Sequence, residues 1–220
     1  MVEILQVRNL ELHEVKARFN LSQADDLELF PEWQNYQTAC SQLTEHDTYW
    51  LDQAKSDFLS LVEYRLHEEV VKLSILSPLL SVAGLSRAPF VPKAEKQVEI
   101  EFDDSEEVIR GRIDLVILYR NLWITTIETK PQQADVLEVL PQTLTYMMAS
   151  PVQSFPLFGL LTNGRHFMFV KLIKQERPVY ALSELFTLFR PTNDLHKVAA
   201  ILRLLKELVL SQDWHKQQAS

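Results

Sequence analysis

Glycine is scarce in this chain: four among 220 residues, Gly84, Gly111, Gly159 and Gly164. So few, so dispersed, cannot build a phosphate-cradling loop or a dinucleotide-binding fingerprint. Cysteine is scarcer still. The single Cys40 permits neither an internal disulfide nor a cysteine-based zinc site, and it fits a reducing cytoplasm. The histidines His13, His46, His67, His166, His196 and His215 show no His-Glu-x-x-His or paired spacing, which argues against a histidine-bound metal. No long apolar run occurs. The longest uncharged stretch, Val139 to Gly164, carries Pro141, Pro151 and Pro156 among many polar residues and does not read as membrane-spanning. Met1-Val2-Glu3-Ile4 lacks the basic-then-apolar pattern of a signal peptide. A basic excess is also missing: the net charge is −8. That argues against a protein that coats nucleic acid wholesale. It leaves room for an enzyme that engages nucleic acid locally, since carboxylate metal sites are themselves acidic.

What is present is a globular composition, 46% hydrophobic and 24% charged, in a length that suits one domain or one domain with an appendage. From Leu43 to Val62 apolar side chains recur at helical intervals (Leu43, Tyr49, Trp50, Ala54, Phe58, Leu61, Val62), which predicts short helices in the first stretch and a longer one from about His46 to Arg65. Pro31 is expected to open the helix carrying Trp33. A further helix is predicted over Glu68–Leu80, with Gly84 as its stop. Val98, Ile100 and Phe102 alternate with acids, and Asp103-Asp104-Ser105 signals a turn. Val108–Leu118 and Leu122–Lys130 follow, so the segment reads as a three-stranded antiparallel meander. Gln133–Ala149 is helical in pattern from near Pro141. Thr162-Asn163-Gly164-Arg165 between two apolar runs predicts a hairpin. Pro191-Thr192-Asn193 is expected to cap an amphipathic helix through Leu210, with Leu195, Ala199, Leu202, Leu205 and Val209 facing inward. The order implies a mixed α/β domain with helices on a central sheet.

Chemistry gathers in the meander. Asp114 lies in Gly111-Arg112-Ile113-Asp114-Leu115-Val116-Ile117-Leu118, and alternation gives it a face in common with Val116 and Leu118. Glu128 and Lys130, two apart in Ile127-Glu128-Thr129-Lys130, project from one face of their strand. With a three-residue turn at Arg120, Asn121 and Leu122, Asp114 stands opposite Glu128, with Cβ atoms about 4.5–5.5 Å apart. Two carboxylates that close repel, and a divalent cation such as Mg²⁺ or Mn²⁺, bound with waters and a phosphate, removes the repulsion. The plainer alternative is an ion pair of Lys130 with Asp114 or Glu128. Arg110 and Arg112 share the face of Asp114 and are candidates for phosphate contact, or for pairing with the acidic turn at 103–107. Lys171 and Lys174 could widen a basic rim. Phe30, Trp33, Trp50 and Phe58 could stack bases, although their helical spacing favours a place in the core.

Asp114 with Glu128-Thr129-Lys130 resembles the core of the PD-(D/E)xK nucleases, in which the acid and the Glu-x-Lys lie on adjacent strands after a first helix. Gln142-Thr143-Leu144-Thr145-Tyr146 resembles the Gln-x-x-x-Tyr motif of RecB-type members. Leu161-Thr162-Asn163-Gly164-Arg165-His166-Phe167 resembles the Thr-Asn-Gly hairpin of the nuclease domain at the amino terminus of type I restriction-enzyme motor subunits. Glu68–Leu80, ending on Pro78-Leu79-Leu80, resembles that domain's first helix. The resemblance spans about Glu63 to Lys174, and it departs from the pattern at Ile113, where the family name has proline.

The resemblance implies an α/β, restriction-endonuclease-like core, a mixed central sheet flanked by helices, over residues 61–220, behind a helical extension over 1–60. It implies a Mg²⁺- or Mn²⁺-dependent nuclease acting on nucleic acid, DNA being the expected substrate, in a cytoplasmic restriction, defence or repair setting. Asp114, Glu128, the Thr129 backbone carbonyl and Glu68 (with Glu69 one position away) would hold the metal. Lys130 would position or deprotonate the attacking water. Gln142 would orient that lysine or contact the backbone, and Tyr146 would support substrate phosphate. A homodimer or a separate motor or specificity subunit is the expected partner, and no membrane. The rival expectation is a non-catalytic member of the same fold that binds nucleic acid or protein.

Overall fold

The computed structural model describes residues 3–24, 36–64, 66–101, 107–119, 122–129, 135–151, 153 and 155–218, with residues 122–129 described by their backbone. Among these, nine strands form one mixed sheet with seven α-helices. In chain order they are β1 (Glu3–Gln6), α1 (Leu12–Arg18), β2 (Ser22–Gln23), α2 (Tyr36–Cys40), α3 (Glu45–Ser60), α4 (Glu68–Val71), α5 (Ser77–Ala83), β3 (Phe90–Glu101), β4 (Glu107–Tyr119), β5 (Leu122–Thr129), α6 (Leu140–Ala149), β6 (Leu157–Thr162), β7 (His166–Ile173), β8 (Val179–Leu182), β9 (Phe186–Thr187) and α7 (Leu195–Gln218). Pro31, Phe30, Trp33, Asp103-Asp104-Ser105, Arg120-Asn121, Lys130 and Gln133, on which several expectations fall, lie outside the described residues.

The sheet is covered on both faces, as a mixed sheet rich in buried strands requires. On β6 and β7, Phe158, Leu160, Phe167 and Phe169 pack with α3, α5 and α7 through Phe58, Leu79, Ala199 and Leu202. The intervening Leu157, Leu161, Val170 and Leu172 pack with α1 and α6 through Val15, Leu144 and Met147. The expected hairpin joins β6 to β7. The Asn163 side chain accepts from the amides of Arg165 and His166, and the Thr162 hydroxyl accepts from Gly164. The carboxy-terminal helix starts where expected, with the Asn193 side chain accepting from the Leu195 amide at 3.0 Å, and runs on to Gln218. Gly84 ends α5 in the left-handed conformation, at φ +75°, which costs a glycine little.

Several expectations are corrected. The first sixty residues are not only helical: β1 pairs parallel with β4, and β2 with β8. The helix expected through Arg65 ends at Ser60. The helix expected over Glu68–Leu80 is interrupted by a wide π turn at Lys72–Leu76. Pro78 explains it, having no amide to donate back along the helix. Trp50 is 51% exposed: it flanks the face of α3 that buries Leu51, Ala54 and Phe58, and its indole N–H donates to His46 at 2.8 Å. The β4–β5 turn is shorter than three residues, since Tyr119 pairs with Leu122. A bulge beyond Ile117, with Ile124 as the extra residue, restores the offset, so that Leu115 pairs with Ile127.

The alternation along β4 also slips at Asp114. Ile109, Ile113 and Val116 are buried in one layer, whereas Leu115 and Ile117 pack in the other. The break falls at Asp114, between Ile113 in one layer and Leu115 in the other, so simple alternation does not assign its face. The disturbance has a counterpart on β3. Ala94 pairs with Leu115 and Lys96 with Ile113, which sets Glu95 across from Asp114, and Glu95 has φ +53°.

Candidate active site

One edge of β4 is paired with β3 along most of its length, but the other is shared by two strands. β1 covers Glu107–Arg110 and β5 covers Leu115–Tyr119. Arg112 lies in the gap between them, where its backbone needs partners. Tyr146 of α6 supplies them. Its hydroxyl accepts from the Arg112 amide at 2.9 Å and donates to the Arg112 carbonyl at 3.0 Å. Gln142, one turn earlier, donates to the same oxygen at 3.2 Å. Gly111 makes this approach possible: a Cβ there would lie 2.5 Å from the Tyr146 hydroxyl and 2.6 Å from a Val7 methyl. The Gln-x-x-x-Tyr pair thus closes the sheet where its strands part.

A cavity of about 860 Å³ opens at this gap, lined by Glu68, Asp114, Gln142 and Tyr146 together with Arg8, Arg110 and Arg112. At one end, Glu68 and Asp114 arrive from different elements. Between them stands Lys72, its Nζ 2.9 Å from Glu68 Oε1 and 3.8 Å from Asp114 Oδ1. Burial pulls the Lys72 pKa down, but the Glu68 hydrogen bond and the charges of Asp114, Glu68 and Glu69 outweigh it and hold it above the ordinary lysine value. Glu69 reaches Lys72 at 3.4 Å from an exposed position and does not line the cavity. Along the opposite wall Arg110 is bidentate to Glu99, at 3.0 and 3.1 Å, and Arg112 pairs with Glu95 at 3.5 Å. Both arginines therefore pair with β3.

Of the remaining expected residues, Glu128 and Thr129 are placed by their backbone, and Lys130 lies outside the described residues. Carrying the β4–β5 register one step past Leu115–Ile127 sets Glu128 across from Asp114. Thr129 pairs with Thr162 of β6. Among the described residues no three His, Cys, Asp or Glu side chains form a metal-binding group; the Glu128 side chain is outside that description. Lys171 and Lys174 do not widen a rim. Lys171 is buried over the Phe158 ring, and Lys174 caps α6 by donating to the carbonyls of Met148 and Ser150. Burial lowers the Lys174 pKa to about 8.

Sequence reasoning missed Lys72 and Arg8. The first had a visible signal, Glu68-x-x-x-Lys72, the spacing at which an acid and a lysine meet on a helix. The second had none, because only the pairing of β1 with distant β4 brings Arg8 to the cleft.

No family model and no curated protein matches this chain. Among solved structures it is similar to a fragment described as an HsdR subunit of a type I restriction enzyme from Vibrio vulnificus YJ016, at 19% identity and a TM-score of 0.40, over 63% of this chain and 26% of that one. No helix among the described residues is long and apolar enough to cross a membrane.

Proposed function

We propose that this chain is a metal-dependent nuclease with a restriction-endonuclease-like core, hydrolysing phosphodiester bonds in DNA in a cytoplasmic restriction, defence or repair setting. One observation carries the reading: Glu68 and Asp114, from a helix and a strand, converge on a single cation at the end of an open polar cleft. Hard oxygen donors disposed around one positive centre are the donor set that Mg²⁺ or Mn²⁺ takes. Glu68, Asp114, Glu128 and the Thr129 carbonyl would hold the metal, which when bound supplies charge stabilisation and an acidified water. Lys130 positions or deprotonates the attacking water, as the sequence resemblance implies. Arg110 and Arg112 exchange their β3 carboxylates for substrate phosphates. Tyr146 and Gln142 keep Arg112, and hence the phosphate wall, at a fixed distance from the acids.

The test is cleavage of single- and double-stranded DNA and RNA with Mg²⁺ or Mn²⁺, by the wild-type chain and by Asp114→Asn and Lys130→Ala. Each substitution is expected to reduce the rate about 100-fold or more. Cleavage that persists in both variants removes these residues from the chemistry and the reading with them. A second reading, a non-catalytic module on the same fold that binds nucleic acid or a protein partner, is favoured by Lys72, whose ammonium already offsets part of the acids' charge. It predicts binding without cleavage under every metal condition.

A further inference from the structure

Lys72 occupies the space between the two carboxylates. Its side chain is 22% exposed, against 32% for Glu68 and 20% for Asp114, so the three charges are partly withdrawn from water and screened less than surface ions. Without Lys72, two acids facing each other at this depth would repel. The carboxylate oxygen that accepts from Nζ, Glu68 Oε1, is one a divalent cation would need at about 2.0–2.1 Å if the ion were Mg²⁺. The ammonium and such an ion cannot share that oxygen at close range without strong repulsion. The lysine can yield, because its charge rides on a flexible four-carbon stem and the cleft beside it is open.

We infer that Lys72 is the resident counter-ion of Glu68 and Asp114, that a divalent cation must displace its ammonium to bind, and that Lys72 thereby sets the metal affinity of the site. This rests on the reading of those acids as metal ligands. The displaced Nζ swings into the cleft. Metal occupancy is therefore weak by design of the charge arrangement, and removing the lysine charge strengthens it.

The test is calorimetric titration of the purified chain with MnCl₂, comparing wild type, Lys72→Met, Lys72→Gln, Lys72→Arg and Asp114→Asn, with circular dichroism to identify the folded variants. Lys72→Met or Lys72→Gln is expected to tighten Mn²⁺ binding about tenfold or more, while Lys72→Arg keeps the wild-type affinity. Equal or weaker Mn²⁺ binding by the folded neutral variants overturns the inference and leaves the metal site intact. No Mn²⁺ binding by any protein, or wild-type affinity in Asp114→Asn, overturns the inference and the metal reading together. A wild-type crystal soaked in MnCl₂ provides a readout free of substitutions. Nζ is expected to have left Glu68, and Mn²⁺ bound at the acids with Nζ still in place overturns the inference.

Discussion

The Tyr146 hydroxyl makes three hydrogen bonds, and the residue is 1% exposed. Replacing it with phenylalanine leaves the Arg112 amide and carbonyl without their partner. A buried polar group left unpaired costs about 1–3 kcal/mol. Tyr146→Phe is therefore expected to lower stability by about that amount in urea denaturation, with an unchanged m-value. Gly111→Ala acts on the same contact from the other side. Its methyl group would force Tyr146 or Val7 to move, and overpacking of this kind costs about 1–3 kcal/mol. If the two effects share one cause, the double variant loses less than the sum of the single losses. Full additivity would mean that Gly111 serves some purpose other than admitting Tyr146. The motif was readable as a motif, but its work was not. A tyrosine one turn after a glutamine says nothing about which distant backbone its hydroxyl will reach.

Arg203 of α7 joins three helices. It donates to the Val82 carbonyl near the end of α5 and to Asp47 in the first turn of α3 at 2.8 Å. Asp47 is also half of a capping box with Thr44. Burial raises the Asp47 pKa, but the hydrogen bonds from Thr44 and Arg203 prevail and hold it below its ordinary value of 3.8. The folded state thus binds the proton less readily than the unfolded chain. The stability this contributes is present above the ordinary value and is lost as pH falls through the folded one. Asp47→Asn is expected to flatten the fall in thermal stability on acidification below about pH 4, and Thr44→Ala to cost about 1 kcal/mol at neutral pH. An unchanged acid profile in Asp47→Asn would show that the carboxylate is not linked to folding. Such caps are local, which explains why the Asn193 start of α7, the Gly84 stop and the Asn163 hairpin were all foreseeable from short stretches of chain. The pairing of β1 with β4, the left-handed Glu95 and the slip at Asp114 were not. Each arises where segments far apart in sequence meet, and no local pattern records it.

The acids of the cleft and the arginines of β4 were foreseeable because their residue types and order are themselves the signal; Arg8, Gln97 and Glu99 were not, because they reach the cleft only through the sheet. The assembled charge distribution has a consequence for binding. If the proposed function holds, a net charge of −8 disfavours a polyanion on the molecule as a whole, and contact is expected at the cleft that Arg8, Arg110 and Arg112 line. Arg110 and Arg112 are paired with Glu99 and Glu95, so in the proposed function exchanging those carboxylates for phosphates is expected to weaken binding further. Each phosphate neutralised on duplex DNA adds about −0.9 to the slope of log K against log salt, so three arginines give at most about −3. Fluorescence anisotropy with a labelled duplex, in calcium to prevent cleavage, is expected to yield a slope no steeper than this. Arg112→Ala should make it shallower by about 1. A slope of about −6 or steeper, unchanged in Arg112→Ala, would place the nucleic-acid surface elsewhere and leave the arginine wall as a set of ion pairs that brace β3 against β4.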